Sequence, residues 1–325
     1  MVEYLITGCG GFVANHYLNH LVKQGCSGVI VGIGTTPPAT PVPNLRFSFE
    51  KINLLDSSEL ERVITNTKPK YCVHLASMSS VANSWREPVE SFVNNTNVFL
   101  NLAESIRRCS PATRILSIGS SEQYGRRKSG GRPFVESDVF QPDSPYAIAR
   151  CSQEWLAHVY TDRYELDIVM TRSFNHIGPG QSTRFAISNF AKAFARAVVT
   201  QQKSLVLPTG DLNVVRDFLD VRDAVRGYEA ILTRSASGSV YNVCSGLGVK
   251  LRQVIDKLAQ ATGIVVETRT DESLVRPVEA SIVIGSREAL TNAFDWQPQI
   301  SLDQSIADIL QYWIQSERCM DDLKQ

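Results

Sequence analysis

Tyr146 and Arg150 stand four residues apart in SPYAIARCSQEW, residues 144–155, and their types and spacing could do chemistry. On a helix both project from one face. A phenol beside a fixed cation can move a proton. The same pair can also be a plain surface cation–aromatic contact. Tyrosine ordinarily titrates near 10, so proton transfer near neutrality requires a drop of about 3 units, or roughly 4 kcal/mol. One cation about 6 Å away, at an effective dielectric of about 20, supplies roughly 2.8 kcal/mol. The positive charge of an oxidised nicotinamide would add to this.

Upstream, SIGSSEQYG places Ser120, Ser121 and Glu122 just after an apolar run. A serine hydroxyl there can hydrogen-bond a carbonyl or alkoxide that exchanges a hydride. Near the N-terminus, TGCGGFVA puts Gly8, Gly11 and Ala14 at three-residue spacing between a strand pattern and a helix pattern. Gly8 would allow a tight turn, Gly11 close approach to a pyrophosphate, and Ala14 close packing of helix on strand. The helix N-terminus offers amide donors to phosphates. A glycine triplet alone is also compatible with an ordinary strand-to-helix turn; the N-terminal βαβ context favours dinucleotide binding.

The elements that must position these residues alternate. EYLIT, GVIVGI, LRFSFEKINL, YCVHLAS, TRILSIGSS and LDIVMTRS read as strands, and amphipathic patterns lie between them. The segment from Pro88 to Cys109 reads as one helix with proline at its start. The rhythm predicts an α/β fold: a doubly wound parallel sheet of the Rossmann type. After residue 172 the rhythm breaks at FNHIGPGQSTRF, and a second, smaller substrate domain is expected. The expected division is 1–172 plus about 214–244 for the dinucleotide, and about 173–213 plus 245–325 for the substrate. Ligands of such a sheet lie beyond the carboxyl ends of the strands, where Ser120, Ser121 and Glu122 fall.

After the second strand, VGIGTT has no acidic residue for an adenosine ribose, and Thr35 or Thr36 could contact a 2′-phosphate. This favours NADP over NAD, with NAD still possible. Asn53 is a candidate for the adenine edge or a solvated strand end.

Composition narrows the function classes. Lys plus Arg and Asp plus Glu number 33 each, so no charge excess points to nucleic acid or an anionic membrane. No apolar run is long enough for a membrane span. MVEYLITG lacks a basic leader region and is not expected to be a signal peptide. Seven scattered cysteines without a CxxC, and five histidines without ligand spacing, predict no disulfide framework and no metal site. A reducing cytoplasm suits them.

Together TGCGGFVA, VHLAS, SIGSSEQYG, SPYAIAR, TRSFNHIGPGQ, VVRDFLDVRDAV and VYNVCSG resemble the extended short-chain dehydrogenases/reductases that act on nucleotide sugars. They cover nearly the whole chain in the family's order. The last three are most similar to the GDP-4-keto-6-deoxy-D-mannose reductases, which make GDP-D-rhamnose, with GDP-mannose 4,6-dehydratases as near relatives. The resemblance implies NADPH-dependent reduction of a C4 keto group, with 4,6-dehydration or C4 epimerisation as alternatives.

It implies that Ser120 binds the C4 oxygen, that Tyr146 protonates it, and that Glu122 matches the dehydratase base. The cofactor cradle would comprise Gly8, Gly10, Gly11, Phe12, Val13, Thr35, Asn53, Leu54, Leu75, Ala76, Ser77, Tyr146, Arg150 and Phe174. Ser80, Ser84 and Ser121 would face the sugar, with Asn175 at the phosphate or sugar and His176 nearby. Arg216 and Arg276 would hold the diphosphate. Lys192 would reach the nucleotide, or else lie on an exposed helix face. The family has lysine where this chain has Arg150. Arginine keeps the charge but is bulkier and planar, so catalytic efficiency is in question and a weakly active nucleotide-sugar-binding protein stays open. The family also pairs through helices such as 86–109 and 145–164, which implies a homodimer.

Overall fold

Runs rich in Val, Ile and Leu form the central strands, and the amphipathic segments between them form the covering helices. The computed structural model describes residues 2–39, 43–125, 131–274 and 282–322. The first half runs β1 (Val2–Thr7), α1 (Phe12–Lys23), β2 (Val29–Gly34), β3 (Arg46–Lys51), α2 (Ser57–Thr67), β4 (Tyr71–His74), α3 (Val81–Arg86), α4 (Pro88–Phe92), α5 (Val98–Cys109) and β5 (Arg114–Ser120). Then follow α6 (Pro145–Tyr164), β6 (Ile168–Ser173), β7 (Asn175–Ile177), α7 (Ala186–Val199), β8 (Ser204–Thr209), β9 (Val215–Asp220), α8 (Val221–Arg234) and β10 (Val240–Val243). The chain ends through β11 (Gly248–Lys250), α9 (Leu251–Thr262), β12 (Val265–Thr270), β13 (Ile282–Val283), α10 (Glu288–Phe294) and α11 (Leu302–Asp322).

Among the described residues seven strands form one parallel sheet in the order β3-β2-β1-β4-β5-β6-β10. This is the doubly wound arrangement expected from the alternation. One core, on the α1 and α8 side, includes Ile6, Leu18, Leu21, Val225 and Ile231. The other, on the α2 and α5 side, includes Leu5, Leu60, Phe99, Leu102 and Ile106. Because both faces are covered, the strands read as continuous apolar runs.

A smaller layer follows. β9 pairs antiparallel with β11 and parallel with β7 and β13, and β8 pairs parallel with β12. Its core joins Phe190 and Phe194 of α7 to Ile255 of α9 and Ile309 of α11. The expected boundary near 214 falls just before β9, yet β9 pairs in this smaller layer. The chain returns to the large sheet only with α8 and β10. α10 and Trp296 then pack on the large sheet's core rather than the small one.

The single helix expected from Pro88 to Cys109 is present without a break, as α4, a π-helical turn over Val93–Asn97, and α5. The cause lies at Asn95, which is fully buried. Its amide donates to the carbonyls of Ser91 at 2.7 Å and Met78 at 3.2 Å, drawing the loop after β4 onto the helix. Inserted polar groups of this kind disturb helical ladders.

Candidate active site

Gly8 has φ +64°, a left-handed conformation, and a Cβ there would lie 2.7 Å from Ala76 Cα. Its amide donates to the Ile33 carbonyl at 2.8 Å, tying the turn to the end of β2. At Gly10 a Cβ would sit 2.5 Å from the Thr36 carbonyl oxygen. The chain after β2 therefore presses directly on the glycine turn, and Thr35 and Thr36 are exposed beside it. Gly11 caps α1 without any side-chain acceptor. Phe12 and Val13 open the helix half-buried, so its first amides can receive an anion. Thr7 holds the neighbouring strand end: its hydroxyl oxygen accepts from the Leu75 and Ala76 amides at 3.2 and 3.1 Å. Asn53 is exposed beyond β3, and its side-chain oxygen accepts from the Leu55 amide at 3.0 Å. Leu54 is buried beneath it.

That Thr7 hydroxyl also lies 2.9 Å from His74 Nδ1. Since its oxygen already accepts two amides, its proton goes to Nδ1, and His74 carries its own proton on Nε2. Burial, with the nearby Arg150 charge, pushes His74 down to about 3. Burial pushes His176 down to about 4. Both fall below the unfolded value of 6.5, so the unfolded chain binds more protons as pH drops through this window. Stability is then full above about pH 6.5 and falls with acid, by up to about 1.4 kcal/mol per pH unit for each histidine. The urea midpoint is expected to be lower near pH 5 than near pH 7.5, and His74→Asn to reduce that difference. Equal midpoints at the two pH values would contradict this.

Tyr146 and Arg150 project together from the start of α6. Ser144 caps this helix by accepting from the Ala147 amide, and Pro145 occupies its first turn. Both residues are 5% exposed, so the pair is not a surface contact. Arg150 Nε donates to Tyr146 Oη at 3.1 Å. With that lone pair taken, the hydroxyl keeps its proton for another acceptor. Arg150 also donates to Ser77 Oγ, to the Ile118 carbonyl at 3.2 Å and to Gln153 Oε1 at 2.5 Å.

Ser120 ends β5 and caps a short 3-10 turn over Ser121–Tyr124. Its Oγ accepts from the Glu122 amide at 3.2 Å, leaving the hydroxyl proton to donate. Ser121 is buried and Glu122 half-buried in the same turn. The turn packs on α6. Gln123 fixes it: Oε1 accepts from the Ser120 amide at 2.8 Å, and Nε2 donates to Glu154 at 2.6 Å. Glu154 pairs with Arg172 at 2.7 Å, both almost fully buried. Burial alone would raise the Glu154 pKa; hydrogen bonds from His158, Arg172 and Gln123 outweigh it and lower it. Arg172 continues to Tyr124 Oη at 2.9 Å and the Glu136 carbonyl at 2.8 Å. These partners escaped the sequence reading, although Gln153 and Glu154 lie three and four residues after Arg150, on its helix face.

Three expected contacts are corrected. Ser84 is fully buried and its hydroxyl donates to the Val81 carbonyl at 2.7 Å, so it faces the protein rather than a sugar. Phe174 is 3% exposed, its ring clustered with Tyr124, Phe134 and Cys244, which removes the side chain from a cofactor surface. Lys192 reaches across to α11, 3.7 Å from Glu317 and 5.0 Å from the centre of the Trp313 ring, rather than toward a nucleotide. Ser80 is half-buried and caps α3 by accepting from the Asn83 amide at 3.2 Å. Asn175 is exposed at the start of β7, and His176 Nε2 lies 2.5 Å from Tyr228 Oη. Arg216, 8% exposed on β9, donates to the Val215 carbonyl at 2.9 Å. Arg276 lies outside the described residues.

The VVRDFLDVRDAV segment has a structural use that its sequence did not reveal. Asp217 accepts from the amides of Ser245, Gly246 and Gly285 at 2.7, 2.9 and 3.2 Å. Asp220 accepts from Ser305 Oγ on α11 at 2.6 Å. Asp223 accepts from the Gln299 and Ile300 amides at 2.9 and 2.8 Å. Three carboxylates at three-residue spacing thus fasten loops and the start of α11 to β9 and α8.

Residues 5–309 match the family described as GDP-mannose 4,6 dehydratase. The chain belongs to that family. It is 30% identical over 308 residues to GDP-6-deoxy-D-mannose reductase of Pseudomonas aeruginosa, covering 95% of this chain and 96% of that one. Among solved structures, it is similar to RMD from Pseudomonas aeruginosa complexed with NADPH, with a TM-score of 0.83 and 29% identity, over 97% of this chain and 100% of the other. It also resembles the UDP-glucose 4-epimerase of Thermus thermophilus in complex with NAD: TM-score 0.82, 25% identity, coverage 96% and 99%. These similar proteins are named for different activities, a reductase in one case and a 4-epimerase in the other. Among the described residues, no helix is long and apolar enough to cross a membrane and no cluster suits a metal ion.

Proposed function

We propose that this protein is a nucleotide-sugar oxidoreductase that uses NADPH to reduce the C4 keto group of a GDP-4-keto-6-deoxy-hexose, giving a product of the GDP-D-rhamnose type. The observation that carries this reading is the buried Tyr146–Arg150 hydrogen bond at the start of α6, the helix on which the turn capped by Ser120 packs. Similarity along nearly the whole chain to a GDP-6-deoxy-D-mannose reductase supports the sugar and its nucleotide.

In this reading the glycine turn from Gly8 to Gly11 and the first amides of α1 would hold the pyrophosphate of NADPH, which would supply the hydride. Ser120 donates its hydroxyl proton in a hydrogen bond to the C4 oxygen. Tyr146 gives its proton to that oxygen, and the Arg150 cation stabilises the negative charge left on the phenol. Asn175 and Arg216 hold the sugar diphosphate, for which a guanidinium fork is suited. The test is a panel of GDP- and UDP-linked 4-keto sugars with NADPH, read by cofactor oxidation and product analysis. Sugar conversion without net loss of NADPH would instead indicate dehydration or epimerisation, the reading Glu122 keeps open.

NADPH is expected to bind more tightly than NADH, because the residues after β2 at the expected ribose position are the neutral Thr35 and Thr36 rather than an acid. Calorimetry checks this; equal affinities, or tighter NADH, would overturn it.

The family's pairing mode also suits the surface. Trp85, Val89, Ile148, Trp155 and Val159 are exposed large apolar residues on α3, α4 and α6. The protein is expected to sediment as a homodimer, and Trp155→Glu to shift it toward monomer. A parent protein that is monomeric at micromolar concentration would contradict this.

A further inference from the structure

We propose that Gln153 is a positioning residue that allows an arginine to serve at position 150, and that Ser77 completes its clamp. The inference rests on the reading of Tyr146 and Arg150 given above. A guanidinium is a rigid plane, so it serves a fixed acceptor only if that plane is locked. All three nitrogens of Arg150 are engaged. Nε donates to Tyr146 at 3.1 Å, one terminal nitrogen to Ile118 and Gln153, and the other to Ser77. Gln153 is itself immobilised. It is 1% exposed, and its Nε2 donates to Ser117 Oγ at 2.9 Å and to the Ile118 carbonyl at 3.2 Å. Its orientation is set by chemistry, because arginine only donates and so requires the amide oxygen.

The amide thereby ties the guanidinium to Ser117 and Ile118 near the end of β5, the strand that carries Ser120. Helix α6, through Arg150 and Gln153, and strand β5 then share one frame, so the Tyr146 hydroxyl and the Ser120 hydroxyl hold a constant relation. A lysine would not need this lock. Its ammonium presents three rotatable donors from one atom, with no plane to fix. Gln153 is therefore specific to the arginine form of the site.

The test is a cycle of Gln153→Met and Arg150→Lys, singly and combined, with Arg150→Ala as a control. Dissociation constants for NADPH and steady-state kinetics are measured on each. Gln153→Met is expected to weaken NADPH binding about tenfold and lower kcat about tenfold, the scale of losing a hydrogen bond to a charged group. KM for the nucleotide sugar stays near the parent value. In the Arg150→Lys background the same change costs less than about twofold, because the lysine does not depend on the amide. If Gln153→Met gives no folded protein, Gln153→Asn, which keeps the amide but falls short by one methylene, carries the same expectation. Equal losses in both backgrounds, or no loss in the parent, would overturn the clamp. If Arg150→Ala itself keeps parent affinity and turnover, the failure lies in the reading of Arg150, not in the role of Gln153.

Discussion

Tyr146→Phe is expected to lower turnover at least about a hundredfold while leaving cofactor affinity close to that of the parent. The hundredfold scale is that of general acid catalysis lost from a site that keeps its shape. The substitution removes only the hydroxyl. The ring stays in its buried place at the start of α6, and Arg150 keeps its bonds to Ser77, Ile118 and Gln153. What disappears is the acceptor for Arg150 Nε and, in the proposed mechanism, the proton for the C4 oxygen. Stopped-flow measurement of hydride transfer, beside a fluorescence titration with NADPH, separates the two effects. A variant of near-parent rate would remove Tyr146 from the chemistry.

The second large effect concerns stability. Glu154→Leu leaves Arg172 almost fully buried without its carboxylate partner. Breaking such a pair costs about 3–5 kcal/mol, because the remaining charge is uncompensated. The chemical-denaturation midpoint is expected to fall sharply. Turnover should fall as well, since Gln123 loses the carboxylate that anchors it beneath Ser120. Replacing both partners, as Glu154→Leu with Arg172→Met, is expected to recover much of the midpoint, since an apolar pair leaves no stranded charge. A Glu154→Leu protein as stable as the parent would show that the pair contributes nothing net. A double variant no better than the single would contradict the stranded-charge explanation.

The glycine turn, the serine turn and the Tyr146–Arg150 pair were legible because each is a local pattern on one strand end or one helix face. The doubly wound parallel sheet followed from the alternation of apolar runs and amphipathic segments, while the order of its strands came from pairings across the chain. What stayed hidden depended on contacts made across the chain. Gln153 reads as an ordinary helix residue until β5 places Ser117 and Ile118 against it. Glu154 reads as a surface charge until Arg172 of β6 closes on it. The aspartates after Arg216 bind segments up to 85 residues away, as Asp220 and Ser305 of α11 illustrate. The errors have the same origin. Ser84, Phe174 and Lys192 lie near the right elements in sequence, but burial or a partner on another helix turns each side chain away. The helix from Pro88 to Cys109 is continuous as expected, but its π-helical segment at Val93–Asn97, where the buried amide of Asn95 reaches the loop after β4, had no signal in the sequence.

Net hydride transfer from NADPH to a C4 keto group is the step on which the proposed function stands. It is tested most directly by incubating the purified protein with GDP-4-keto-6-deoxy-D-mannose and NADPH, following loss of NADPH absorbance alongside the sugar product. One cofactor is expected to be oxidised for each keto group reduced, with far slower reaction from NADH. A sugar transformed without net cofactor loss, or both ligands bound without turnover, would contradict it.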